Sequence, residues 1–178
     1  DTVRRQRQMC IRDSTHTQLL FFTTDGMAYK LKTWRLPLGG RTAKGKAIVN
    51  ILPIPVGVSI AAIMPVDVEE KAWDNLQIVF ATSAGDIRRN ALSDFTNVRS
   101  NGKIAMDLNE GTELVNARIA GEEDDVMLFT DSGRAIRFST TAVRVFKGRK
   151  STGVRGIKLL GQDKVCLLYT SPSPRDRV

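Results

Sequence analysis

Basic side chains recur at matched places along this 178-residue chain. Lys30, Arg89 and Arg137 each stand four residues after a glycine, at Gly26, Gly85 and Gly133. Arg41, Arg99 and the pair Arg149-Lys150 each stand three or four residues before a second glycine, at Gly45, Gly102 and Gly153. Lys32, Arg35, Lys44, Lys46, Arg88, Lys103, Arg134, Arg144, Lys147 and Arg155 cluster in the same loops and strand ends. Acids lie mostly elsewhere, as in Glu69-Glu70 and Glu122-Glu123-Asp124-Asp125. Ammonium and guanidinium groups spaced in this way suit one task, the neutralisation of successive phosphates without reading base sequence. If the repeats superpose, the bases form a stripe around one rim. The competing reading is a solvated basic face with no ligand; repetition at matched positions favours a phosphate backbone.

Such a stripe needs a repeating scaffold, and the glycines mark one. Thr23-Thr24-Asp25-Gly26, Thr82-Ser83-Ala84-Gly85 and Thr130-Asp131-Ser132-Gly133 each follow an apolar run, and each second glycine opens another. An apolar run, a Gly-ended turn and a second run are the signature of a β-hairpin. The second strands are predicted at 27–32, 86–89 and 134–138. An apolar anchor follows ten residues after each first glycine, at Leu36, Phe95 and Val143. Third strands are predicted after the second glycine. There Val49 and Ile51, Met106 and Leu108, and Ile157 and Leu159 have the two-residue spacing of one strand face. Fourth strands are predicted at 59–64 and 113–119, and a helical turn at 67–73. Four short strands per repeat of about 50 residues match the blade arithmetic of a propeller. The expected fold is all-β: an incomplete β-pinwheel or propeller-like array of about two and a half four-stranded blades, with repeats at 17–74, 75–124 and 125–165.

Other residue types carry little chemistry. Tyr29 lies on a hairpin strand, where a packed tyrosine is the ordinary reading, and His16 is the lone histidine. Metal centres need clustered ligands, so no metal site is expected. The acids 122–125 lack the ligand spacing of a calcium loop. Trp34 and Trp73 could stack on bases, but aromatics make up 6% of the chain, too few for a single-strand stacking platform. Gly26, Gly85 and Gly133 are turn glycines and not a phosphate loop, because no helix is predicted after them.

The two ends stand apart from the repeats. Gln8-Met9-Cys10-Ile11-Arg12-Asp13 can be written CAG ATG TGT ATA AGA GAC, and Cys166-Leu167-Leu168-Tyr169-Thr170-Ser171 as TGT CTC TTA TAC ACA TCT. With one further A, the second string is the reverse complement of a stretch of the first. Residues 1–14 and 166–178 are therefore expected to be translated adapter scars, and the repeat domain to occupy 15–165. By strand propensity alone, Leu167-Leu168-Tyr169 can take the place of the last repeat's fourth strand. Both cysteines lie in the ends, so no disulfide framework is expected. The ends also hold six of the 27 bases and three of the 19 acids, which leaves 21 bases against 16 acids, a net charge of +5. No apolar run reaches 18 residues and no signal peptide is recognisable, so the expectation is a cytoplasmic segment of a longer protein without membrane contact.

The motifs resemble a known family. The stretches 133–138, 149–159 and 41–50, together with Leu92-Ser93-Asp94-Phe95 and Asn101-Gly102-Lys103-Ile104-Ala105-Met106, are similar to the C-terminal domain of the bacterial DNA gyrase A subunit. The likeness covers essentially all of 17–165. It implies a β-pinwheel with double-stranded DNA wrapped around a basic outer edge. It also implies a parent that is an ATP-dependent type II topoisomerase introducing negative supercoils. That parent's partners would be the rest of the gyrase A subunit, as a homodimer, and the gyrase B subunit, in a bacterial cytoplasm on the nucleoid. The family uses ATP and magnesium through other domains or subunits, and its DNA-cleaving tyrosine lies in another domain. No cofactor and no catalysis are thus expected here. The family's basic glycine-rich box, of the type Gln-Arg-Arg-Gly-Gly-Lys-Gly, does not occur; residues 39–45 are a degenerate counterpart. Its absence leaves the A subunit of topoisomerase IV as the runner-up. Two other classes stand beside these: a propeller-like protein-interaction module, whose rim should be mixed in charge, and a hydrolase or lyase propeller, which needs clustered Asp, His or Tyr on inner strands.

Overall fold

Each glycine-ended turn closes an antiparallel hairpin. A computed structural model of the chain describes residues 16–66, 70–148 and 151–172. The expected scar at 1–14, the bases Arg149 and Lys150, and residues 173–178 lie outside those. The three hairpins pair β1 (Gln18–Thr23) with β2 (Met27–Lys32), β4 (Gln77–Thr82) with β5 (Asp86–Ala91), and β8 (Asp124–Thr130) with β9 (Ala135–Ser139). Gly26, Gly85 and Gly133 take φ of 81°, 85° and 80° at the turns, the left-handed region that side chains avoid.

A third strand lies on the far side of each first strand. These are β3 (Ile60–Val66) on β1, β7 (Leu114–Ala120) on β4, and β11 (Val165–Pro172) on β8. The last places Leu167-Leu168-Tyr169 where the first two repeats put their fourth strands. Short 3-10 turns follow the hairpins at Thr33–Arg35, Leu92–Phe95 and Thr140–Ala142, and another at Glu70–Asn75 covers part of the predicted helical turn.

The strands after the second glycines differ from expectation. Only two-residue strands form there: β6 (Lys103–Ile104) and β10 (Val154–Arg155), while the first repeat makes a 3-10 turn at Ile48–Asn50. Moreover, β6 pairs with β2 and β10 pairs with β5, so each completes the sheet of the preceding repeat. The sheets therefore run β3-β1-β2-β6, β10-β5-β4-β7 and β11-β8-β9. The first two blades are four-stranded and the third has three strands among the described residues, and a repeat is not a blade. Pairing stops after two residues because the chain then wraps the hairpin turn. The amides of Ala105 and Met106 both donate to the Gly26 carbonyl (2.9 and 3.2 Å), and those of Gly156 and Ile157 to the Gly85 carbonyl (2.9 and 3.2 Å). The apolar pairs that suggested a longer strand are used instead as caps over the turn: Met106 and Ile157 are buried and Leu108 and Leu159 half-buried.

The sheets stack face to face. Alternate residues of β4 point to opposite sides. Ile78 and Phe80 enter the core shared with the first sheet; Val79 and Ala81 enter the one shared with the third. This accounts for the unbroken apolar run of β4, since both faces are covered. Phe22, Phe80 and Phe95 meet edge to face at centroid separations of 5.3, 5.6 and 5.8 Å, a geometry that adds to plain burial. Of the predicted anchors, Phe95 and Val143 are buried, and Leu36 packs half-buried on the outer face of the first sheet.

Candidate nucleic-acid interface

The fold divides the predicted bases into separate groups. Position three after the first glycine holds Tyr29, Arg88 and Ile136. This position faces the stretch received from the next repeat, so Arg88 is 0% exposed. Its Nε donates to Asn90 Oδ1 (2.8 Å), its Nη1 donates to the Ser151 carbonyl, and its guanidinium lies 5.3 Å from the Phe146 ring. Arg88 is a strut between blades and does not face a rim. The signal was available in the sequence, because its counterparts Tyr29 and Ile136 are apolar or amphipathic.

The matched bases four residues after the glycine do not form the expected open stripe either. Lys30 is held by Glu70 (2.8 Å) and by the Thr96 carbonyl, with its ammonium 5.8 Å from the Trp73 ring centre. Arg89 is 7% exposed. Its carbonyl accepts from the Phe146 amide (2.8 Å), and its Nε and Nη1 have no hydrogen-bond partner among the described residues. Burial pushes the Arg89 guanidinium pKa down, and Glu122 pulls it back up to a lesser degree. Only Arg137 is open, and it reaches Asp125 at 3.4 Å. At Lys30 and Arg89 the next segment packs over this position, through Thr96 and Phe146, and the long side chain spans the seam.

The remaining bases sit in the loops that lead from the 3-10 turns to the second glycines. Arg41 and Lys44 in the first repeat, Arg99 in the second, and Arg144 and Lys147 in the third are all exposed. Lys32, Arg35, Lys46, Arg134 and Arg155 are exposed as well. Lys103 is half-buried and donates to the Asp94 carbonyl (2.6 Å). Arg35 stacks on Trp34 at 5.3 Å and Arg144 on Phe146 at 4.5 Å, which fixes where these guanidinium groups project. Among the described residues, no ion pair involves Lys32, Arg35, Arg41, Lys44, Lys46, Arg99, Arg134, Arg144 or Lys147. The three loops leave equivalent hairpins after equivalent turns. The arrangement thus presents unpaired cations blade after blade, which can neutralise anions spaced along a linear polymer. Arg149 and Lys150 belong to the third of these loops in sequence but lie outside the described residues.

Among the described residues no three of His, Cys, Asp and Glu come together at metal-binding distances. Among the described residues no helix is long and apolar enough to cross a membrane.

Comparison with known proteins points in one direction. The family described as "DNA gyrase C-terminal domain, beta-propeller" matches residues 17–67, 77–120 and 124–165. The chain is 47% identical over 169 residues to a DNA gyrase A subunit of Granulibacter bethesdensis, covering 92% of this chain and 18% of that protein. It is 45% identical over 152 residues to the DNA gyrase A subunit of Rickettsia bellii, covering 85% of this chain and 17% of that protein. The chain thus spans under a fifth of the length of these relatives. Among solved structures, the C-terminal domain of a DNA topoisomerase IV superposes with a TM-score of 0.78 at 23% identity, over 89% of this chain and 48% of that one. A DNA gyrase A C-terminal domain superposes with a TM-score of 0.71 at 22% identity, over 88% of this chain and 48% of that one. At such identities these likenesses establish the β-pinwheel architecture alone.

Proposed function

The chain belongs to the family of DNA gyrase C-terminal domains, and we propose that it binds double-stranded DNA along the exposed basic loops of successive blades. The observation that carries this reading is the recurrence of unpaired bases in the equivalent loops, at Arg41 and Lys44, Arg99, and Arg144 and Lys147. Duplex DNA presents a phosphate every few ångströms and needs no pocket. Charge spread over stacked blades, instead of gathered in one cleft, suits a duplex that bends around the rim. Bending costs several kcal/mol over short lengths, and contacts on successive blades offset it.

On this reading the parent is a DNA gyrase A subunit, whose cleavage chemistry, ATP and magnesium belong to other domains or to the gyrase B subunit. The A subunit would act as a homodimer on the bacterial nucleoid, and the wrapped duplex would set up the crossing that leads to negative supercoiling. Relatives above 40% identity that carry the name of the DNA gyrase A subunit favour gyrase over topoisomerase IV. Residues 1–14 and 166–178 are read as translated adapter sequence; codons in the source reads other than those given above would overturn that.

The test is a salt titration of duplex binding by the purified chain. The expected result is an affinity that falls linearly in log–log form with salt and varies little with base sequence. A flat salt response, or a sharp preference for one short sequence, would overturn the proposal.

A further inference from the structure

The fifth residue after the first glycine breaks the repeat. It is Leu31 in the first hairpin and Phe138 in the third, but Asn90 in the second. Leu31 is buried and Phe138 half-buried, and Asn90 is 0% exposed. An amide at a position that is otherwise apolar costs free energy unless its hydrogen bonds are met. Here they are met, and the partners belong to two different loops.

The Asn90 Nδ2 group donates to the carbonyls of Phe146 (2.9 Å) and Gly148 (3.4 Å) and to the Asp94 carboxylate (3.1 Å). Its Oδ1 accepts from Arg88 Nε (2.8 Å), and Arg88 Nη1 donates to the Ser151 carbonyl. The Arg89 carbonyl accepts from the Phe146 amide (2.8 Å). Three consecutive residues of β5 thereby hold the main chain of the third repeat's loop at Phe146, Gly148 and Ser151. That loop presents Lys147, and Arg144 stacks on Phe146 beside it.

Asp94 stands at the root of the other loop. It lies in the 3-10 turn Leu92–Phe95, which leads into the loop of Arg99. Its carbonyl accepts from Lys103 Nζ (2.6 Å), which ties the start of that loop to its end. The Asn90 amide therefore bridges the footings of two basic loops from adjoining repeats. Among the described residues the cations that these loops present, Arg99, Arg144 and Lys147, form no ion pair.

Resting on the DNA-binding reading above, we infer that Asn90 is a positioning residue for the duplex. It fixes the Arg99 loop and the Arg144–Lys147 loop relative to each other, so that the cations of two repeats meet the phosphates already placed. It supplies no charge and touches no phosphate. Its effect is on the ordering that binding would otherwise have to impose on the loops. A leucine, as in the first repeat, would fill the space but leave the loop carbonyls unheld.

The experiment compares the wild-type chain with Asn90→Leu by fluorescence anisotropy of a labelled duplex, over a range of salt and at a temperature where both are folded. Asn90→Leu should weaken binding roughly tenfold. The log–log salt slope should stay the same, since no cation is lost. In a chain whose third loop has its bases Arg144, Lys147, Arg149 and Lys150 replaced by alanine, the same substitution should weaken binding less than about threefold, because the charges it positions are gone. Asn90→Ser gives the same comparison should the leucine variant not fold, since its shorter hydroxyl cannot span Asp94, Phe146 and Gly148. A folded variant with wild-type affinity and only a lowered melting temperature would overturn the inference. A tenfold loss that persists without the four loop bases would overturn it too. A wild-type chain with no salt-dependent duplex binding would overturn the DNA-binding reading and this inference with it, which tells the two failures apart.

Discussion

Gly153 lies against the carbonyl of Ile87, with φ of 98° and no room for a Cβ between them. The contact joins the third repeat to the sheet of the second, one residue before β10 pairs with β5. Gly153→Ala therefore meets both backbone strain and overlap. The expected loss is roughly 2 kcal/mol or more, from left-handed strain of about 1–3 kcal/mol with the clash added. Gly40→Ala, where a Cβ meets nothing within 4 Å and φ is not positive, should change stability by less than about 1 kcal/mol. Urea denaturation of both variants checks the contrast; equal effects would show that the seam is not tight.

Phe80 anchors the stack between the first two sheets, edge-on to Phe22 and Phe95. Truncation leaves a cavity that rigid strands on both sides cannot close. Phe80→Ala should cost about 3–5 kcal/mol, read as a fall in the denaturation midpoint at unchanged slope.

The exposed and the buried bases should separate in their effects. Arg41→Ala, Arg99→Ala and Arg144→Ala should each lower the log–log salt slope of duplex binding by about one and leave the melting temperature nearly unchanged. Arg88→Ala should do the reverse. It deletes bonds to Asn90 and Ser151 in a sealed position, so stability falls while the salt slope of the folded protein stays the same. Equal binding losses from all four would place Arg88 at the surface after all.

Arg89 gives a sharper case. Two of its guanidinium nitrogens are buried without hydrogen-bond partners among the described residues. A buried cation that is poorly compensated can be replaced by an apolar side chain of similar length at little cost. Arg89→Met should keep or raise the melting temperature, whereas Arg89→Ala should lower it through lost packing.

Asp86 carries a pH prediction. Burial raises its carboxyl pKa, and the nearby Arg155 lowers it by less. A folded-state pKa above the unfolded one means that the group favours folding most when protonated. That contribution is present below the unfolded value of about 3.9 and is lost as pH rises through the folded value. At neutral pH the carboxylate is thus a net cost. Asp86→Asn should raise the melting temperature at pH 7, with the gain shrinking as pH falls toward about 4. A gain that is independent of pH would assign the effect to packing instead.

Much of the molecule was legible in the chain itself. The glycine-ended turns, the apolar runs and their period of two identified the three hairpins to within about two residues, because hairpin turns are local and Gly alone tolerates their φ. The anchors Phe95 and Val143 were legible for the same reason: they recur at a fixed offset and are apolar. What the chain could not state was which sheet each short strand after the second glycine joins. Periodicity says that Met106 and Ile157 seek burial; it does not say that their neighbours pair with the preceding repeat's hairpin. That choice is made in three dimensions, where the Gly26 and Gly85 carbonyls capture the incoming amides and bend the chain after two residues. The same docking seals Arg88 and Arg89 inside and leaves Arg41, Arg99 and Arg144 outside. Composition counts all five as equal cations, and only the packing of one repeat over the next decides which of them can meet a phosphate.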